Sequence, residues 1–417
     1  MTTKTLAIVG ASLAGAKAAE AARDVGFDGR VVLIGDEAAA PYERPALSKE
    51  VLRGEQDPAA TRVHPEDFYA DHRIELIHGS ATAIDVTAGA IHLSSGDRVR
   101  YDTAVLATGA EPRRLRVPGA ELSGVHYLRT AHDALRLRQA IRAGTRVAVV
   151  GGGWIGSEVA ASARQMGAAV VLVDPGAVPL QRVLGEEIGG VFRDLHADHG
   201  VELRLGTQLA ELRGGTRVEA AVLADGTVEP ADVVVVGIGV TPRTELAEAT
   251  GLRVHDGIVV DRRLATSAHG VYAAGDVASA WHPHFRRHLR VEHWANALHQ
   301  GSTAGRNAVG HRESFKRLPY FYSDQYDLGM EYVGHASASD SMVVRGDLAA
   351  RKFVAFWQRH GIVTAAMSVN TWDLAEDLKA LIESARPVAP SRLADAAVPL
   401  GELVGANDAD LGASGSP

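Results

Sequence analysis

The sequence predicts an α/β protein with two doubly wound, parallel-sheet domains, the second inserted into the first, and a smaller C-terminal α+β domain. Three observations carry that expectation. Two strand-glycine-helix signatures stand about 140 residues apart, TLAIVGASLAG and RVAVVGGGWIGSEVA. Two further β runs end in glycine, YDTAVLATGAEPR and DVVVVGIGVTPR, and read as the returns from the two domains. Beyond about residue 317 the pattern changes to short β runs and one closing helix. The length of 417 residues agrees, because single hydrophobic cores stop growing at roughly 250–300 residues.

In the first signature the apolar run from Leu6 to Val9 ends in Gly10, Ser12 and Gly15; in the second the glycines are Gly151, Gly153 and Gly156, with Ile155 between the last two. The first glycine of such a set allows the tight turn, the second lets backbone approach a pyrophosphate, and the third lets helix pack closely on strand. The helix N-terminus then holds phosphates on its unpaired N–H groups. One such signature is also what an ordinary glycine-rich turn looks like. Two of them, each after a β run, before an Ala-rich helix and trailed by an acidic strand end, point to two Rossmann-like sites, and so to two dinucleotides. Their similarity reads as duplication of one plan.

The strand after the first site, RVVLIGDE, ends in Asp36 with Glu37 beside it, and Ser12 stands where the middle glycine is usual. After the second site VVLVD places Asp174 where a carboxylate accepts from an adenine-ribose 2′-OH, which favours NADH over NADPH. Thr108 and Gly109 close the first return and Gly237 and Gly239 the second. GVYAAGDVA puts Gly275 and Asp276 after a strand and before an expected helix, where Asp276 either holds a ligand hydroxyl or caps that helix.

The chain has no cysteine. That removes disulfides, thiolate zinc sites and protein-bound iron–sulfur clusters. A chain that binds a flavin and a nicotinamide takes up a hydride, and without a thiol its electrons must leave for an outside acceptor. Net charge of −8 argues against general nucleic-acid affinity. No apolar run nears the roughly 18 residues that span a bilayer, and a first strand beginning by Thr5 leaves no room for a secretory signal, so a cytoplasmic location is expected. In WHPHFRRHLR, His282, His284 and His288 lack an accompanying cysteine or carboxylate pattern, so no metal is expected. The run reads as a solvated loop, or as a cationic docking patch of Arg286, Arg287 and Arg290.

Together these motifs resemble the glutathione-reductase-like two-dinucleotide flavoproteins from about residue 5 to 310. Four segments narrow the resemblance: PYERPALSKEVLRG (41–54), YLRT (127–130), RVEHWANALHQG (290–301) and FYSDQYD (321–327). They resemble the FAD-dependent ferredoxin reductases of the putidaredoxin reductase and biphenyl dioxygenase reductase type, over nearly the whole chain to about residue 400. Ala46 departs from the pattern, since many relatives carry a second proline there.

By that resemblance Ala14, Asp36, Lys49, Ala81, Arg129, Asp276 and Trp294 would contact FAD, and Gly10, Ser12, Gly15, Arg44, Thr108, Gly109, Gly239, Gly275, Glu292 and His293 belong to the same binding set. NADH would be held by Gly151, Gly153, Ile155, Gly156 and Asp174. Glu158 looks like the family's glutamate near Lys49 and the nicotinamide; Lys49 would stabilise negative charge on the reduced flavin and Glu158 would orient Lys49 and the carboxamide. Without the motif around them they would read as an ordinary surface lysine and helix glutamate. Trp294, and the cluster Tyr320, Phe321 and Tyr322, would read either as core or as cover for the flavin ring. The implied reaction is hydride transfer from NADH to FAD, then one-electron transfers to a [2Fe–2S] ferredoxin that feeds a cytochrome P450 or a Rieske-type oxygenase. The absence of cysteine excludes disulfide reductases and single-cysteine NADH peroxidases. A rubredoxin or monodehydroascorbate-like reductase stays open, as does an NADH-responsive redox sensor resembling apoptosis-inducing factor.

The expected domains are residues 1–110 and 240–316 for FAD, 111–239 for NAD, 317–400 for the α+β module, and a disordered tail over 401–417. Within the module SMVVRG, KFVAFWQRHG and IVTAAMSVN read as antiparallel strands with a turn at His360-Gly361, and TWDLAEDLKALIESA as a helix capped by Asn370 or Thr371 with Asp373 in its first turn. Such a module dimerises in the wider superfamily but packs beside the flavin in the ferredoxin reductases, so monomer and homodimer both remain open.

Overall fold

The structure is a computed structural model that describes residues 4–405. The chain forms two compact units. The first runs to Arg113 and adds Arg129–Ala134 and Gly239–Arg317; the second comprises Arg114–Leu128, Leu135–Ile238 and the chain from Leu318 onward.

The first unit is built on a five-stranded parallel sheet, in the order Val271–Ala273, Thr103–Leu106, Thr5–Val9, Arg30–Gly35 and Ile74–His78. Leu6, Ala7, Ile8 and Val9 are all buried, as are Val31 to Ile34. A parallel sheet covered on both faces needs such continuous apolar strands, which is why these segments show no alternation. The helix Leu13–Asp24 packs on Trp294–Ala308 at very short range. A Cβ on Gly301 would stand 2.2 Å from the Ala14 carbonyl oxygen, and one on Gly305 2.1 Å from that of Ala18. Alanines on one helix and glycines on the other thus set the approach of segments far apart in sequence.

Two three-stranded sheets belong to the same unit. Ala81–Asp85, Ala90–Leu93 and Arg98–Arg100 form an antiparallel meander. In the other, Ala278–His282 lies parallel to Ile258–Val260 and antiparallel to Arg287–Arg290. WHPHFRRHLR is therefore part of a β-hairpin rather than a loop. Nor does a helix follow Asp276: a single 3-10 turn, Gly275–Val277, leads directly into strand.

The second unit holds another five-stranded parallel sheet, Glu202–Leu205, Ala169–Asp174, Arg146–Val150, Val233–Val236 and Val125–Tyr127, with an antiparallel meander beside it. The chain from Leu318 adds an antiparallel sheet in the order Tyr320–Gln325, Leu328–Gly334, Ile362–Val369, Lys352–Arg359 and Ser341–Asp347. This sheet shares one core with the helix Gln181–Asp198, where Leu184, Ile188, Phe192 and Leu195 meet Met330, Tyr332, Phe353 and Trp357. Phe321 belongs to that core, 4.9 Å from the Trp154 ring and 5.2 Å from Tyr332, whereas Tyr322 is exposed.

His360 and Gly361 both have positive φ, as the tight hairpin between their strands requires. The closing helix differs from expectation. It runs Ala375–Ser384 with Leu374 at its N-cap, and Glu376 and Asp377 are the acids of its first turn. Asn370 instead accepts a bond from the Gly329 amide at 2.9 Å, and Asp373 has a left-handed φ that keeps it outside the helix. The chain then continues as helix over Leu400–Gly405, with Leu400 and Leu403 buried, where the composition predicts a disordered tail from 401; the rest of that tail lies outside the described residues. Buried Arg345 ties this end down by donating to the carbonyls of Arg392, Leu393 and Val398. Among the described residues no helix is long and apolar enough to cross a membrane.

Candidate functional site

In the first unit three adjacent strands deliver their C-terminal ends to one place. Thr5–Val9 leads into Gly10 and Ser12, Thr103–Leu106 into Thr108 and Gly109, and Val271–Ala273 into Gly275 and Asp276. Ligands of open parallel sheets sit outside such ends. The backbone there is shaped for close approach: a Cβ on Gly15 would lie 1.9 Å from the Gly10 oxygen, and one on Gly275 3.0 Å from the Ala14 Cβ. Ser12 is the N-cap of Leu13–Asp24, yet its side chain makes no capping bond and the first turn holds no acid, a donor set suited to phosphate. The Trp294 indole nitrogen, at the start of its helix, is buried with no hydrogen-bond partner among the described residues. Buried donors of that kind call for an acceptor. These features fit a dinucleotide with a polar, acceptor-bearing ring system.

A polar chain explains the PYERP segment. Arg44 donates to Glu37 at 2.7 Å and to the carbonyl of Arg129, and the Tyr42 hydroxyl donates to Glu37 while accepting from the Ala131 amide at 3.0 Å. Arg129 in turn donates to Asp276 at 2.9 Å. Burial pushes the Tyr42 hydroxyl up to about 12, so it stays protonated and able to donate. The result is a clasp that fixes residues 129–131 against the 3-10 turn bearing Asp276. Asp36 stands at the end of Arg30–Gly35 and accepts from Arg243 at 3.2 Å; Thr108 donates to the Arg243 carbonyl at 2.7 Å. Lys49 is buried between the 3-10 turn Pro45–Ser48 and the helix Glu50–Arg53. Ala81 opens the meander strand, Gly239 has a left-handed φ, and His293 is the N-cap residue before Trp294. Glu292 is exposed and paired with Arg290.

Several members of this site escape a reading of the sequence alone. Glu37 stands out there only as the neighbour of Asp36, Arg243 is merely the last residue of the second return, and Gln300 accepts from the Gly275 amide at 2.9 Å while itself buried. Gln300 sits within the HWANALHQG motif, which is the one available signal.

The second unit repeats the geometry. A Cβ on Gly156 would again lie 1.9 Å from the oxygen of the loop's first glycine, Gly151, while one on Gly153 would meet nothing nearer than the Gly237 oxygen at 3.9 Å. Gly156 thus serves the packing of helix on strand and Gly153 leaves open space over the loop. Ile155 is exposed on the first turn of Trp154–Gln165. Asp174 also braces the glycine loop, which its position in the sequence does not announce. One of its oxygens accepts from the Gly152 amide at 2.6 Å and the other from the Gly176 amide at 2.7 Å.

Glu158, one turn further along that helix, is buried and accepts from the Ser323 hydroxyl at 2.7 Å. Behind Ser323 lie Gln325 and His196, also buried. Desolvation lowers His196 from 6.5 to about 4. Because the unfolded state then binds the proton more readily, this group's contribution to stability is complete above pH 6.5 and is lost as pH falls toward 4, a loss of up to about 3 kcal/mol. Urea midpoints of wild type and His196→Gln between pH 7 and pH 4 check this: the variant is expected to show the flatter dependence, and equal slopes would refute it. Among the described residues no cluster of three or more His, Asp or Glu is placed to hold a metal ion.

Residues 4–301 match the pyridine nucleotide-disulphide oxidoreductase family, and residues 320–404 match the reductase C-terminal family. The chain is 37% identical over 411 residues to putidaredoxin reductase of Pseudomonas putida, covering 97% of each chain. It is 39% identical over 405 residues to the ferredoxin–NAD(+) reductase component of the anthranilate 1,2-dioxygenase system of Burkholderia cepacia, covering 96% of this chain and 99% of that one. Among solved structures, the ferredoxin reductase for the CYP199A2 system from Rhodopseudomonas palustris aligns with a TM-score of 0.93 at 37% identity, over 96% of this chain and all of the other. Putidaredoxin reductase in its covalent complex with putidaredoxin aligns with a TM-score of 0.93 at 36% identity, over 96% of this chain and 98% of that one.

Proposed function

Since the chain belongs to the pyridine nucleotide-disulphide oxidoreductase family and carries the reductase C-terminal module, we propose that it is an FAD-dependent NADH:ferredoxin oxidoreductase of a cytochrome P450 or Rieske-type oxygenase system. One observation carries the reading: two glycine loops with the same 1.9 Å close approach stand in a chain that has no cysteine to receive electrons. Bound FAD supplies the conversion of a two-electron hydride from NADH into single electrons for an outside [2Fe–2S] carrier.

The protein's own part is binding, alignment and field. Gly10, Ser12, Ala14 and Gly15 hold the flavin dinucleotide's phosphates, Asp36 and Ala81 its adenosine end, and Asp276, held by Arg129, accepts from its hydroxyls. Lys49 brings a positive charge, and Thr108, Gly109, Gly239, Gly275, Glu292, His293 and Trp294 complete the wall. Gly151, Gly153, Ile155 and Gly156 hold NADH, and Asp174 discriminates against a 2′-phosphate by its charge as well as bracing the loop. Glu158 orients the nicotinamide carboxamide.

Cytochrome c reduction by NADH and the yellow protein, with and without a [2Fe–2S] ferredoxin, tests the proposal. Strong dependence on ferredoxin is expected. Rapid ferricyanide reduction that no ferredoxin or rubredoxin accelerates would instead point to a small-molecule reductase or a redox sensor. We place the protein in the cytoplasm, as monomer or homodimer.

The ferredoxin dock is assigned to the hairpin that includes Arg286 and Arg287. Arg286 is exposed at its turn, and a local positive surface is what an acidic chain needs to meet an acidic carrier. Arg290 contributes less than its charge suggests, because Asp256 at 2.8 Å and Glu292 both pair with it. Arg286→Ser with Arg287→Ser is expected to raise the KM for ferredoxin steeply and blunt its salt dependence while NADH:ferricyanide activity stays intact. An unchanged ferredoxin KM removes the patch from the dock.

A further inference from the structure

The buried hydrogen bonds behind Glu158 all point the same way. Gln325 donates from Nε2 to the Ser323 Oγ at 3.4 Å, and Ser323 donates to Glu158 Oε1 at 2.7 Å. With its amide so oriented, Gln325 turns Oε1 toward His196 Nε2 at 3.0 Å, which must therefore carry the ring hydrogen. Nδ1 is left as the acceptor, and the Tyr326 hydroxyl lies 3.5 Å from it. A neutral histidine has one donor and one acceptor, and both are used. His196, Gln325 and Ser323 are each nearly inaccessible to solvent, so water does not compete for these bonds. Chains of this kind polarise one another.

The same chain of bonds joins three elements. His196 lies in the helix Gln181–Asp198, Ser323 and Gln325 in the first strand of the C-terminal sheet, and Glu158 in the helix that starts at the second glycine loop. Ser323 and Gln325, two residues apart, share the buried face of their strand, while Tyr322 and Asp324 face solvent. A strand so built would bury apolar residues at both positions if packing were the only demand. Instead it carries a hydroxyl that donates to the carboxylate and an amide that donates to that hydroxyl.

We propose that Ser323 is a positioning residue for Glu158, its hydroxyl held in the donating direction by Gln325 and His196. The proposal rests on the reading of Glu158 given above. By fixing one carboxylate oxygen, Ser323 sets the orientation in which Glu158 meets the nicotinamide carboxamide, so the C-terminal sheet takes part in aligning NADH as well as in packing.

The test uses the FAD-loaded, full-length protein in Ser323→Ala, Ser323→Thr, Gln325→Leu and Glu158→Gln forms, with Ser323→Ala also combined with Glu158→Gln. Three quantities are read: the hydride-transfer rate at saturating NADH, the KM for NADH, and the calorimetric dissociation constant of NAD⁺. Ser323→Ala is expected to slow hydride transfer about tenfold, the loss of one charge-assisted hydrogen bond, and to weaken NAD⁺ severalfold. Ser323→Thr, which keeps the hydroxyl, restores both, and Gln325→Leu falls between. In the Glu158→Gln background Ser323→Ala adds nothing, a coupling that a purely structural role would not produce. A normal rate and normal NAD⁺ affinity in Ser323→Ala beside an impaired Glu158→Gln overturns the positioning role alone. An unimpaired Glu158→Gln overturns the reading of Glu158 and the proposal with it. Additive losses in the double variant also overturn it.

Discussion

Gly156→Val is expected to yield a yellow protein that NADH no longer reduces. The Cβ alone would stand 1.9 Å from the Gly151 oxygen, within a turn whose backbone cannot yield independently of the strand Arg146–Val150. Real contacts of this kind exceed about 3 Å, so the helix Trp154–Gln165 must move by about 1 Å and carry Ile155 and Glu158 with it. A shift of that size costs on the order of 100-fold in a reaction that depends on alignment. Flavin content and reduction by dithionite should be unchanged, because Gly156 lies in the second unit and the flavin residues in the first. Stopped-flow flavin absorbance with each reductant checks this. Normal NADH reduction would mean that the second glycine loop is not where NADH binds.

Asp276→Ala is expected to lose most of its flavin on gel filtration. Asp276 accepts from Arg129, whose carbonyl accepts from Arg44, so removal leaves one partly buried guanidinium without its carboxylate as well as deleting an acceptor for the ligand. Losing a charged acceptor for the ligand's hydroxyls costs about 1.5–3 kcal/mol, which corresponds to an FAD dissociation constant raised about 10- to 150-fold. Asp276→Asn, whose amide oxygen still accepts, should recover part of the loss. Fluorescence titration of the deflavinated protein measures both, and unaltered affinity in Asp276→Ala would confine the residue to holding Arg129.

The parts of the molecule that are legible in the sequence are those where one physical demand dictates the residue. Strands buried on both faces must be apolar throughout, so Leu6 to Val9 and Val147 to Val150 declare themselves, and a helix that touches a strand needs glycine at the contact, so Gly15 and Gly156 do too. Legibility fails where the partner is distant in sequence. Nothing near Tyr42 and Arg44 announces that they clasp residues 129–131, and nothing near Glu158 announces Ser323. Local rules also mislead. Asn370 and Asp373 have the composition of a helix cap, but Asn370 serves the Gly329 amide across a sheet, and the helix begins later, at Ala375 after Leu374, without a side-chain cap. Asp276 resembles a helix start because Gly-Asp after a strand is common there; strand pairing with Ile258–Val260 claims the following residues first.

The glycine-to-alanine contact between Leu13–Asp24 and Trp294–Ala308 has a bearing on how the protein is made. Its two sides are separated by the whole of the inserted parallel-sheet segment, Leu135–Ile238. At a synthesis rate of roughly 5–20 residues per second, the first helix would wait on the order of 10–60 seconds on the ribosome before the residues that cover it emerge. During that interval Ala14 and Ala18 present a narrow, nearly featureless strip, which offers passing chains little apolar surface to grip. The small side chains that permit the final contact would thus also keep its first half inconspicuous, and the nascent first sheet can stay open until residue 305 arrives to close it.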